Sequence, residues 1–442
     1  MRRRTPPPTI RHLPGMKPYR NYYLLLAGQF LGAFGDNFLL KAILGPLTYQ
    51  QTSGQVTEQY VNNQNSLFGL AFFVPFIVLA PVAGFLNDRM PKTSWLFGGN
   101  LLKLFGTALG LFGVWLHHGD FESSRIWQVI GYALVGIGAC VYSPAKYGIL
   151  PEILPAERLV KANGTVEMLT LVAILGGIGG GAAFYDYFLS VPPCYLVCLG
   201  LYGAALAFNA AMTRTPCDPT TSARRSLSEF GGSLRTLVCH PRLSRVLLGC
   251  GLFWFVGATL RTNIQAWGLE VFQEAGIGHV TNEKLAYLLI GLVLGIVGGS
   301  VLAGQLHKVG DLSWTRRYGL FMAVGILLLG FLGGQWGLAL VVGVLVATGF
   351  FAGLLIVPLN AALQAESDQT KLGKTVSVQN FFDYSGMALG AGYLWLMTKL
   401  GLSPELVFVV LAVVIAAVAV ALGMQKAIRD AEAGPQTGGD GR

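Results

Sequence analysis

Seven ionisable side chains, Asp36, Lys41, Lys103, Lys146, Glu167, Arg261 and Asp383, fall inside stretches that are otherwise apolar. A charge at the centre of a bilayer costs about 2.5–3.5 kcal/mol on insertion scales, unless it meets an opposite charge, a wet cavity or a bound ion. Each is therefore a candidate for gripping and releasing a charged cargo. No bond-breaking chemistry accompanies them: the apolar stretches carry no paired histidines, no Ser/His/Asp set and no metal cluster. The six cysteines, Cys140, Cys194, Cys198, Cys217, Cys239 and Cys250, form no CxxC and no zinc spacing. A binding and carrying protein is expected, not an enzyme.

The seven differ in what their positions allow. Asp36 follows Phe34-Gly35 and precedes Asn37-Phe38-Leu39-Leu40. With a helix starting near Tyr22 it lies about 21 Å along the axis, past the bilayer midplane. Arg261 lies about 25 Å along its own stretch and shares that outer half. Lys146 follows Pro144 by two residues, as Asn360 follows Pro358, and Gln364 lies one turn beyond. Asp36, Lys146, Arg261, Asn360 and Gln364 thus read as one binding set, with Asn37 and Tyr142 in support. An Asp36–Arg261 bridge that merely ties the chain together is the structural alternative. Lys41 and Lys103 are long enough to snorkel and read as structural. Glu167, near a helix start, is either a dipole-favoured anchor or part of the site. Asn163/Glu167 and Gln379/Asp383 each place an amide and an acid one turn apart on a helix face.

The elements that must position these residues are membrane helices. Of the 442 residues, 53% are hydrophobic and 12% charged, with mean hydropathy +0.55; a soluble domain has about 25% charged residues. Apolar runs recur at 22–46, 66–86, 95–116, 126–150, 163–188, 192–212, 244–270, 284–307, 316–334, 336–364, 375–399 and 404–425, each near the ~20 residues a crossing requires. The first is too long for a signal-peptide core and ends without a cleavage site, so it reads as a retained helix. The polar stretch 213–243 divides an N-terminal bundle, 21–212, from a C-terminal bundle, 244–425. A basic, proline-rich tail, 1–20, precedes them, and a second tail, 426–442, follows. The fold expected is all-α and polytopic, with 12 transmembrane helices in two six-helix halves. Lys and Arg concentrate in the tails and in every second loop; only Arg125, Lys284 and Lys399 lie in the loops opposite. That asymmetry places both termini in the cytoplasm and accounts for the net charge of +9 without nucleic acid.

The halves echo each other. Pro144-x-Lys146 ends the fourth run as Pro358-x-Asn360 ends the tenth, and the amide–acid pairs recur in the fifth and eleventh. Twelve spans with such echoes point to the major facilitator fold. Gly84-Phe85-Leu86-Asn87-Asp88-Arg89-Met90-Pro91-Lys92 resembles that superfamily's gating loop, with Pro91 where glycine is usual; Asp88 and Arg89 are the candidate latch. Phe34-Gly35-Asp36-Asn37, Tyr142-Ser143-Pro144-Ala145-Lys146-Tyr147-Gly148-Ile149-Leu150, Thr259-Leu260-Arg261 and Val357-Pro358-Leu359-Asn360-Ala361-Ala362-Leu363-Gln364 resemble the bacterial lysophospholipid transporter (LplT) family. The resemblance implies a flippase of the bacterial inner membrane. It would bring lysophosphatidylethanolamine and lysophosphatidylglycerol from the outer to the inner leaflet, where a separate acyltransferase–acyl carrier protein synthetase re-acylates them. It also implies sodium coupling, for which Asp36 is the candidate ligand; no other cofactor is expected. Phosphate would meet the cations, the headgroup amine Asp36, and the acyl chain a lateral opening near Phe68–Phe76 and Gly291–Gly299. A major facilitator carrier of a soluble solute or drug is the alternative.

Overall fold

The computed structural model describes residues 19–52, 55–56, 58–79, 82–83, 89–215, 226–277, 282–367 and 372–432. Among them are twelve long helices: α1 (Arg20–Thr52), α2 (Glu58–Val78), α3 (Lys92–Leu116), α4 (Phe121–Gly148), α5 (Leu159–Phe188), α6 (Val191–Ala210), α7 (Leu243–Glu274), α8 (Asn282–Leu306), α9 (Thr315–Leu329), α10 (Leu338–Glu366), α11 (Leu372–Lys399) and α12 (Pro404–Glu432). Eight are long and apolar enough to cross a membrane by length and composition; α2, α9, α11 and α12 are not among them, although α2 and α12 contain shorter apolar stretches. A further helix, Ser226–Cys239, lies in the linker between α6 and α7.

Several boundaries differ from those read in the sequence. The helix that carries the second run starts at Glu58 instead of 66, because the polar segment Glu58–Ser66 continues it outward. α1 runs through Pro46 to Thr52. The last helix runs past 425 to Glu432, into the segment read as a tail. The tail 1–18 and the loop residues Gly84–Asp88 lie outside the described residues.

Packing repeats between the halves. In the first, α1 packs on α5, α3 on α4 and α6, and α2 on α4; in the second, α7 packs on α11, α9 on α10 and α12, and α8 on α10. Each contact is its counterpart shifted by six helices. Glycine makes the closest approaches possible. A Cβ on Gly106 or Gly131 would strike the backbone of the other, sealing α3 to α4. Gly295 and Gly299 meet the backbone of Val346 and Phe350 in the same way, sealing α8 to α10. The Gly291–Gly299 stretch therefore serves packing within the second half and is not a lateral opening.

The halves meet through α5–α8 and α5–α10 on one side, and through α11–α2 and α11–α4 on the other. This seam obeys the same six-helix shift. It lies toward the end of the bundle where α1 begins and α12 ends. Gly164 near the start of α5 abuts Ser300 of α8, and Gly304 near the end of α8 abuts Lys161. Farther along, α5 turns to its own half, with Gly177 and Gly181 against Phe34 and Phe38 of α1. The bundle is closed at the terminal end.

Candidate functional site

Asp36 is buried in the first half, 8% exposed, and both its oxygens are taken. Lys103 Nζ of α3 donates to Oδ2 at 2.7 Å, and the Tyr202 hydroxyl of α6 donates to Oδ1 at 2.8 Å. The Tyr132 hydroxyl of α4 donates to the Asp36 backbone carbonyl at 3.1 Å. Lys103 thus does not snorkel outward. It lies about 17 Å along α3 against about 24 Å for Asp36 along α1, and its long side chain spans the difference. The Asp36–Arg261 bridge, the structural alternative, is not formed, because Lys103 of the same half pairs with Asp36. Each Asp36 oxygen accepts one hydrogen bond and keeps a further lone pair, so a sodium ion there would share the carboxylate with Lys103 and Tyr202. Asn37 bonds its own helix, donating to the Ala33 carbonyl at 2.9 Å.

A second cluster joins the halves. The Asn360 amide of α10 donates to Glu167 Oε1 at 3.0 Å, and the Tyr147 hydroxyl of α4 donates to the same oxygen at 2.7 Å. Gln379 Nε2 of α11 donates to Asn360 Oδ1 at 2.6 Å. Asn163 of α5 and Gln364 of α10 exchange amide hydrogen bonds at 2.9 and 2.8 Å. The Ser143 hydroxyl donates to Asn380 Oδ1 at 3.3 Å. On the α2–α11 side, the Tyr384 ring lies 4.0 Å from that of Phe76. Glu167 is therefore more than a helix-end anchor: it accepts the cross-half bond. Asn360 and Gln364, 2% and 0% exposed, are enclosed in the seam and do not line an open cavity in this state.

Two residues of the predicted set remain reachable. Lys146 is half-buried, lies over the Tyr147 ring at 4.3 Å, and is drawn electrostatically to Glu167 first and to Asp36 more weakly. Arg261 is exposed. It lies within electrostatic reach of Tyr132 and of Lys41, both in the opposite half. Arg261 thus faces the first half across the far end of the bundle, with a second cation, Lys41, opposite. Tyr142 is buried, with Lys103 over its ring at 5.6 Å. Of the candidate latch, Asp88 lies outside the described residues and Arg89 is exposed. Lys92, which closes that motif, pairs with Glu152 in the turn Leu150–Ile153, and its backbone N–H donates to Thr215 Oγ1 at 3.1 Å. Burial holds the Glu152 carboxyl above its ordinary range, against the opposing pull of Lys92.

Sequence reasoning missed Tyr202, Tyr147 and the function of Lys103. The tyrosines carry no sequence signal, since aromatics are common in every span. Lys103 was identifiable as one of seven intramembrane charges, but its azimuth was not.

Arg261 and Lys41 together set two positive charges at the far end, a pairing whose chemistry suits an anion. A sequence profile described as the Major Facilitator Superfamily matches residues 25–391. The lysophospholipid transporter LplT of Photorhabdus laumondii is 33% identical over 387 residues, covering 86% of this chain and 89% of that protein. The LplT of an Enterobacter species is 34% identical over 380 residues, covering 85% and 88%. Among solved structures, the human organic anion transporter MFSD10 (TETRAN) superposes with a TM-score of 0.71 at 17% identity, covering 92% of this chain and all of that one.

Proposed function

Because this chain belongs to the lysophospholipid transporter family of the Major Facilitator Superfamily, we propose that it flips lysophospholipids from the outer to the inner leaflet of a bacterial inner membrane. The observation that carries this reading is the 33% identity to an LplT protein over 387 residues, 86% of this chain. The Lys and Arg asymmetry supports a cytoplasmic terminal end, so the closed seam is the inner gate and Arg261 faces the outer side.

The geometry suits such a cargo. A lysophospholipid carries a phosphate that must cross the core and one acyl chain that can stay in lipid. Arg261 grips phosphate bidentately, and Lys41 adds a second positive charge on the facing half. Lys146, deeper and already close to Glu167, receives the phosphate as the inner gate opens. Asp36 acts mainly by fixing Lys103 and Tyr202; it would meet a headgroup amine only by releasing Lys103. The α2–α11 side, where Phe73 and Phe76 meet Tyr384, is the apolar seam through which an acyl chain would trail. Lysophosphatidylethanolamine and lysophosphatidylglycerol are the substrates proposed, with a separate acyltransferase–acyl carrier protein synthetase consuming them. Uptake of labelled lysophosphatidylethanolamine by cells lacking their own transporter tests the reading. Arg261→Ala and Lys146→Ala should each abolish uptake at wild-type expression. Undiminished uptake in either variant removes that residue from the path.

A further inference from the structure

We propose that Asp383 is a proton site that controls the inner gate: its carboxyl is protonated while α11 is sealed against the first half, and gives up that proton as the seam parts. The six-helix shift makes Asp383 on α11 the counterpart of Glu167 on α5. Their surroundings have diverged. Glu167 accepts from Asn360 and Tyr147 and has Lys146 beside it. Lys146 is itself the counterpart of Asn360 and by symmetry would serve Asp383; it turns to Glu167 instead.

Asp383 is left without a counter-charge. It is 8% exposed, its bonded neighbour is Trp254 of α7, and its Oδ1 has no hydrogen-bond partner. One turn earlier on the same face, Gln379 Oε1 is likewise buried and without a partner, its amide nitrogen being committed to Asn360. Two buried acceptors one turn apart with no donor are costly. A proton on Asp383 Oδ1 converts an acceptor into a donor and resolves the conflict. A metal ion fits less well, since it needs a shell of oxygens. Of the seam oxygens nearby, Glu167 Oε1 and Asn360 Oδ1 already accept hydrogen bonds.

The groups that face Asp383 are Tyr147 of α4, Glu167 of α5, Cys250 and Trp254 of α7, Asn360 of α10, and Gln379 and Tyr384 of α11. None is basic, and the charge acting on it most strongly is the Glu167 carboxylate, which belongs to the opposite half. Two carboxylates across a dry seam do not both ionise cheaply. With one proton present the seam holds. Loss of that proton to cytoplasmic water sets two like charges face to face on opposite halves, and opening hydrates both. Cytoplasmic water returns the proton before the seam closes again. Higher internal pH therefore favours the inward-open state, whatever the cargo is.

The test uses the full-length protein in nanodiscs without substrate. Spin labels at Lys161→Cys and Lys308→Cys, with Cys217 and Cys239 replaced by serine, report the α5–α8 gap at the terminal end. The open population should rise with pH by up to about tenfold per unit, the slope of one proton. Asp383→Asn should abolish the response. Infrared difference spectra should show a protonated carboxyl C=O band that is lost as pH rises and is missing in Asp383→Asn. A pH-independent distance, a response that survives in Asp383→Asn, or a gap that follows sodium instead of pH overturns the proposal. If Asp383→Asn fails to fold, Glu167→Gln carries the test. Removing the facing charge should move the midpoint to lower pH, and an unmoved midpoint overturns the proposal. Because no lysophospholipid is present, failure here leaves the cargo assignment untouched, and the reverse holds as well.

Discussion

Replacing Lys103 with methionine should destabilise the first half severely. The Lys103 and Asp36 side chains are 4% and 11% exposed, so water screens the pair little, and their 2.7 Å contact is supported by the Tyr202 hydroxyl. Removing one partner of such a pair strands a buried charge and costs about 3–5 kcal/mol. Asp36→Asn strands the lysine instead and should cost a comparable amount. The double variant, Asp36→Asn with Lys103→Met, leaves no stranded charge and should recover most of the loss. Tyr202→Phe removes one hydrogen bond to a charged group and should cost about 1.5–3 kcal/mol. Thermal unfolding of purified protein in one detergent, read as a double-mutant cycle, gives the coupling directly. Additive losses, or a Lys103→Met variant as stable as wild type, would refute the pairing and restore Arg261 as the partner of Asp36.

Three further outcomes follow from the seam. Gly164→Val places its Cβ, which at this backbone would stand 2.6 Å from the Ser300 carbonyl, into the α5–α8 contact; labelling of inner-side cysteines should increase, and unchanged labelling would show the contact is not the gate. Asn163→Ala should remove both amide hydrogen bonds exchanged with Gln364 and weaken closure by about 1–3 kcal/mol, while Asn163→Leu with Gln364→Leu should restore it; spin-label distances across the inner gate decide between them. Asp88→Asn or Arg89→Ala should shift inner and outer accessibility in opposite directions without changing substrate affinity, and unaltered accessibility on both sides would remove the loop from the gate.

The fold was legible because hydropathy and charge act one crossing at a time. Each span announces itself without knowledge of its neighbours, and Lys and Arg mark one side. Boundaries failed where polar residues continue a helix beyond the apolar core, as in Glu58–Ser66. The site was legible only in depth. Counting residues placed Asp36 and Arg261 in the same half of the bilayer, but depth does not give azimuth, and Lys103 was closer in the folded half. The amide–acid spacing at Asn163/Glu167 and Gln379/Asp383 pointed to the right helix faces. It did not reveal that those faces meet each other as the closed gate, which encloses Asn360 and Gln364 in this state.

The most direct test is reconstitution. Purified protein in liposomes, with fluorescent lysophosphatidylethanolamine added outside and albumin used to extract what remains in the outer leaflet, measures flipping without other cellular components. Inside-out and right-side-out molecules are separated by a modifier that reaches only the inner gate. The account predicts protein-dependent protection of lysophosphatidylethanolamine from extraction, absent for its two-chain counterpart and abolished by Arg261→Ala. Protection no greater than in protein-free liposomes, with the protein shown to be folded, would contradict it.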